Sequence, residues 1–166
     1  MKKMIKKYRK AKGFTLVELL IVIVIIGILA GMMMLSTGGA TDSATATKIV
    51  SDMRNLKAAS VMYFLDYNTW PTQIDTSLDR YLDVPLSTRT NPNDGGYSLV
   101  ATAGTTSGDT TLWVTYEDPN VMTSGVRTKL QNMASSVGLY KESGATVPNT
   151  PDYTATDTTV TMLVRQ

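Results

Sequence analysis

Neither cysteine nor histidine occurs anywhere in the 166 residues. Their absence removes disulfides, thiol nucleophiles, metal centres of the usual Cys/His kind and every triad that needs an imidazole. A phosphate-binding loop is missing too: GGYSLVATAG at 95–104 lacks the lysine and the following helix that such a loop requires. Lysine and serine are plentiful, but no spacing singles out a Ser/Lys pair. What remains is a chain of about one domain's length with little room for catalytic machinery.

Acid is absent from one end. Residues 1–13 hold Lys2, Lys3, Lys6, Lys7, Arg9, Lys10 and Lys12 with no Asp or Glu, which leaves nine basic against fourteen acidic residues over 14–166, a balance of −5. A mildly acidic body argues against nucleic acid as the main partner. A basic run followed by a hydrophobic one is the pattern for membrane insertion with the basic end kept in the cytoplasm.

The hydrophobic run covers 14–35, and its only charge is Glu18. As a helix rising about 1.5 Å per residue it is long enough to cross a hydrocarbon core of roughly 30 Å. Three readings compete. A cleaved secretory signal has a shorter apolar region and a small-residue cut site, for which Ala30 and Gly31 are the available residues. A plain signal anchor fits the length but gives no reason for Glu18, which costs a few kcal/mol if placed deep in lipid. The third reading cuts before the apolar run, after Gly13, and keeps the hydrophobic helix as the mature N-terminus.

The stretch KGFTLVELLIVIVIIGILA, 12–30, resembles the leader junction and first helix of the type IV pilin and type II secretion pseudopilin family. The resemblance is dense over about 8–35 and looser up to Pro71. It implies that Gly13 precedes the cut of a prepilin peptidase, that Phe14 becomes the N-methylated N-terminus, and that Glu18 is the fifth-position acid. Cleavage creates a cationic α-amino group at Phe14. In a filament core the Glu18 carboxylate of one subunit then pairs with the Phe14 amine of a neighbour, each charge being unfavourable alone in an apolar bundle. Glu18 is on this reading a register mark for assembly.

Gly27 and Gly31 stand at i and i+4, read either as a backbone strip for close helix approach or as ordinary membrane-helix composition. Met32, Met33 and Met34 read as adaptable packing surface. Gly38-Gly39 weaken helix continuation by roughly 1 kcal/mol each relative to Ala, which predicts a kink or melted link. Many family members carry a proline near this region; here Leu35 stands in its place.

Beyond the link, Ala46, Ile49, Met53, Leu56 and Tyr63 recur at 3- and 4-residue steps, predicting an amphipathic helix that ends at 66–68, before Trp70-Pro71. Lys48 and Asp52 are spaced as an ion pair. In the remainder, turn clusters at 90–96 and 104–109 bound strands at 97–101 and 112–116, forming a hairpin. Ser124 is the predicted cap of a short helix carrying Val126, Leu130, Met133, Ala134 and Val137, with Gly138 as its terminator. Residues 158–165 alternate as a final strand.

The expectation is an α+β pilin fold, a long N-terminal helix packed on a small antiparallel sheet. Its parts are a leader at 1–13, a transmembrane and filament-core helix at 14–37, an amphipathic half at 38–67 and a head at 68–166. The resemblance implies a single-pass inner-membrane protein with a cytoplasmic N-terminus that later enters a filament. Its implied partners are copies of itself, prepilin peptidase, an assembly ATPase, a membrane platform protein and membrane lipid; no cofactor is implied. Asp75, Asp79, Asp83, Asn93, Asp94 and Asp109 offer oxygen ligands, but their spacing follows no calcium loop like that of major secretion pseudopilins. That missing pattern and the Thr-rich head lean the reading toward an extracellular pilus, with the major pseudopilin of a type II secretion system as the alternative. The rivals from other classes are an uncleaved membrane-anchored binding protein and a secreted enzyme behind a conventional signal.

Overall fold

A computed structural model of the chain describes residues 13–86, 90–91, 95–103, 110–141, 143, 147–148 and 150–165. They divide into two compact units, with the boundary between Gly38 and Gly39. In the first unit the chain is the opening part of helix α1, Leu16–Tyr67.

The second unit begins with the remainder of α1. A short 3-10 turn, Leu78–Tyr81, follows. Strands β1 (Thr90–Asn91), β2 (Gly95–Ala103) and β3 (Thr110–Glu117) come next, then helix α2 (Ser124–Val137), β4 (Leu139–Tyr140) and β5 (Thr159–Arg165). The sheet is antiparallel with the order β1-β2-β3-β5-β4.

Helical spacing puts Ala46, Ile49, Met53, Leu56 and Ala59 on one face of α1, and all five are buried. They share a core with Leu99 of β2, Leu112, Val114 and Tyr116 of β3, Val160 and Met162 of β5, and Val126, Leu130 and Ala134 of α2. Strand β3 is buried on both faces, because Thr111, Trp113 and Thr115 point away from this core and are covered as well. Trp113 meets Tyr140 edge to face at 5.3 Å.

The ends of the helices follow from local chemistry. Helix α1 stops where Asn68 takes a left-handed φ of 54° and its N–H returns to Phe64 O at 2.8 Å. Helix α2 ends on Gly138, φ 81°, whose N–H bonds Ala134 O at 2.9 Å. Its N-cap is Thr123 rather than the expected Ser124: the Thr123 Oγ1 accepts from Val126 N at 3.3 Å.

Two further expectations need correction. α1 is helical straight through Gly38-Gly39, and Ser43 Oγ bonds Gly39 O at 2.9 Å, so the melted link is not seen. A penalty of roughly 1 kcal/mol per glycine is too small to break a helix that continues for several turns on both sides. Nor do Lys48 and Asp52 pair: Asp52 accepts a hydrogen bond from Tyr97 Oη at 2.8 Å, tying α1 to β2. The expected turn at 104–109 and most of the leader lie outside the described residues.

Candidate functional site

The expected processing and assembly residues sit at the start of α1. Phe14 is 90% exposed and precedes a closed capping arrangement. Thr15 N and Thr15 Oγ1 each donate to Glu18 Oε2 at 2.8 Å, while Glu18 N donates to Thr15 Oγ1 at 3.2 Å. This is the reciprocal Thr-x-x-Glu capping box, which satisfies N–H groups that the first helical turn leaves orphaned. The sequence shows it as Thr15-Leu-Val-Glu18. Reading Glu18 only as a charge in an apolar run overlooks it, and Thr15 is the capping residue that such a reading misses.

From Leu16 to Met33 every large apolar side chain is at least half exposed. Moving one such Leu, Ile or Val fully out of water gains roughly 1 kcal/mol or more. A dozen together rival the whole folding margin of about 5–15 kcal/mol of a globular domain. This stretch therefore belongs in lipid or among other helices, and α1 is long and apolar enough here to cross a membrane. Gly27 and Gly31 have open space beside them, so a Cβ at either meets nothing within 4 Å in this chain; any close approach they permit is toward another molecule. Glu18 lines a recess with Phe14, Leu19, Val22 and Ile23, which sets the lone carboxylate against apolar side chains.

In the second unit two of the candidate oxygen ligands, Asp75 and Asp79, accept hydrogen bonds from nearby backbone. Asp75 Oδ1 accepts from Ser77 N and Leu78 N, at 2.9 and 3.1 Å, and Asp79 Oδ1 accepts from Leu86 N at 2.9 Å. Among the described residues no three Asp or Glu side chains are grouped as candidate metal ligands. Asn93, Asp94 and Asp109 lie outside the described residues.

Residues 8–34 match the family model for the prokaryotic N-terminal methylation motif. The chain is also similar to the type II secretion system core protein G of Vibrio cholerae, 38% identical over 97 residues, covering 55% of this chain and 63% of that protein. The type II secretion system core protein G of Aeromonas hydrophila is 40% identical over 91 residues, 54% of this chain and 63% of the relative. That of Klebsiella michiganensis is 42% identical over 86 residues, 51% and 61% respectively. These matches support membership of the type IV pilin and pseudopilin family. The chain's matches span a little over three fifths of these relatives' lengths. The apolar helix and the methylation motif together fit a pilin-family subunit anchored in a membrane before assembly.

Proposed function

We propose that this chain is the repeating structural subunit of a secretion pseudopilus. A prepilin peptidase cuts it between Gly13 and Phe14 and methylates the new amine. Subunits then leave the inner membrane, where residues 1–13 had been cytoplasmic, and polymerise through the apolar part of α1. The observation that carries the reading is a helix of exposed apolar side chains that opens with Phe14 and holds a single carboxylate, Glu18. Gly27 and Gly31 supply the strip along which neighbouring helices approach. An assembly ATPase and a membrane platform protein drive the process by family resemblance. The chain is thus a structural component on which enzymes act.

The comparisons support the secretion form over the surface pilus toward which the head's composition leans, because the relatives reported above are named as secretion-system core proteins. The test has two parts. Mass spectrometry of the protein from cells with active prepilin peptidase should find methylated Phe14 as the first residue; a chain still starting at Met1 would mean an uncleaved anchor. Deleting the gene should strand exported proteins in the periplasm. Undiminished export, together with the chain in long sheared surface filaments, would replace the pseudopilus with an extracellular pilus.

A further inference from the structure

Outside the membrane-type stretch of α1, the large apolar side chains exposed among the described residues are few: Val61, Met62, Leu65, Tyr67 and Val84. Val61, Met62 and Leu65 stand at i, i+1 and i+4 on α1, on the side opposite the core-facing Met53, Leu56 and Ser60. They form an apolar stripe left uncovered among the described residues, with Leu65 75% exposed. Val84, 58% exposed, stands on the loop that follows the 3-10 turn. It borders a recess of about 310 Å³ whose α1 wall is Lys48, Asp52 and Asn55.

Unpaired charges flank both features with opposite signs. Lys57 and Arg54 lie one and two turns before the stripe, and Asp83 lies beside Val84. All three are exposed, and none makes a hydrogen bond or ion pair among the described residues. One copy thus presents an apolar knob with an acid, and an apolar stripe with two bases, at different levels of the same helix.

We propose that the two surfaces are the halves of one interface between copies of this chain: Val84 of one copy seats on the Val61, Met62 and Leu65 stripe of the next, with Asp83 against Lys57 and Arg54. The proposal rests on the filament reading and names the surfaces of the second unit, one on α1 and one on the head, that join successive subunits. The two patches differ, so the contact is head to tail, and repeating it builds an open assembly instead of a closed pair. The level of the recess, near Asp52, and the stripe, near Met62, are ten residues apart on α1. The contact therefore advances each copy by on the order of 15 Å along the helix.

The absence of cysteine makes the test direct. Full-length chains carrying Val84→Cys and Leu65→Cys singly, with different tags, are co-expressed, and the sedimented filaments are treated with a short thiol crosslinker. The expected product is a dimer containing both tags, and a ladder of higher species from the double variant. Separately, Asp83→Lys should lower the filament yield by up to about fivefold per contact, the size of an exposed ion pair, and adding Lys57→Glu should restore part of it. Filaments that assemble but give no mixed-tag dimer would overturn this interface and leave the filament reading standing. A wild-type chain that is processed yet never sediments as filaments would remove the filament reading and this proposal with it.

Discussion

A methyl group added at Gly125 tests how the second unit is held together. Gly125 is the second residue of α2, and a Cβ there would lie 1.9 Å from Asp42 Oδ2 and 2.7 Å from Asp42 Cγ. Asp42 belongs to α1, and its Oδ1 accepts from Thr123 Oγ1, the α2 N-cap, at 3.3 Å. The first turn of α2 contains no acid of its own, so α1 supplies the negative charge that favours a helix N-terminus. Gly125→Ala must push the carboxylate aside, since a short side chain can swing where backbone cannot. The loss is one hydrogen bond to a charged group and one dipole interaction, about 1–2 kcal/mol together. Working against it is the helical preference of Ala over Gly, up to about 1 kcal/mol and less near a helix end. Gly125→Ala should therefore destabilise by roughly 1 kcal/mol in the native background. In an Asp42→Ala background the obstruction is gone, and the same change should become neutral or stabilising. Urea unfolding of the detergent-solubilised chain, followed by the emission of buried Trp113, measures both. The double-mutant cycle should give a coupling of at least about 1 kcal/mol. Equal destabilisation in the two backgrounds would refute the contact as the cause.

Two further changes probe other joints. Gly138 holds α2's C-cap at φ 81° with open space around it, so Gly138→Ala should cost about 1 kcal/mol through backbone strain alone; no loss of stability in urea would count against a left-handed cap. The Tyr153 hydroxyl is pushed up to about 12 by burial, with the Asp157 charge adding to the rise. An unfolded tyrosine ionises near 10. The raised value favours the protonated native state, so this contribution is complete below pH 10 and fades as the pH climbs from 10 to about 12. Tyr81, donating to Asp66, is raised likewise, so Tyr153→Phe should flatten only part of the alkaline decline; an unchanged profile would contradict the assignment.

What the sequence makes legible follows how far each feature repeats. The face carrying Ala46, Ile49, Met53 and Leu56 spans three turns at one period, and the structure buries it. The strands at 97–101 and 112–116 alternate over enough residues to be read, and both prove a residue or two longer at each end. β1 and β4 have two residues each and the 3-10 turn has four, too few to show any period. The burial of Trp113 on the sheet's second face depends on segments distant in the chain, as does the meeting of Asp42 with Gly125. Asp52 shows tertiary context overriding local spacing. The i, i+4 rule offers it Lys48, an exposed pair worth a few tenths of a kcal/mol, and the fold offers it the Tyr97 hydroxyl of a half-buried partner strand.

Glu18 has two possible employments, and they can be separated. In the free chain both its contacts go to Thr15, as the N3 member of a capping box. In the proposed filament its charge answers the Phe14 amine of a neighbour. Glu18→Gln retains an oxygen that can accept from Thr15 N, and glutamine serves at the N3 position of such boxes. The helix start should thus survive the change, with processing at Gly13 intact. The charge is lost, so a neighbour's ammonium entering the apolar bundle finds no counterion, a penalty of several kcal/mol before relaxation. The expected phenotype is a methylated, membrane-held subunit largely missing from filaments. Thr15→Val does the reverse, keeping the charge while removing the hydroxyl that donates to Glu18 and accepts from its N–H; it should weaken the helix start by about 1 kcal/mol and leave filaments near their normal yield. If Glu18→Gln assembled normally while Thr15→Val did not, the carboxylate would be a cap and nothing more, and the register of the filament would have to come from elsewhere in the subunit.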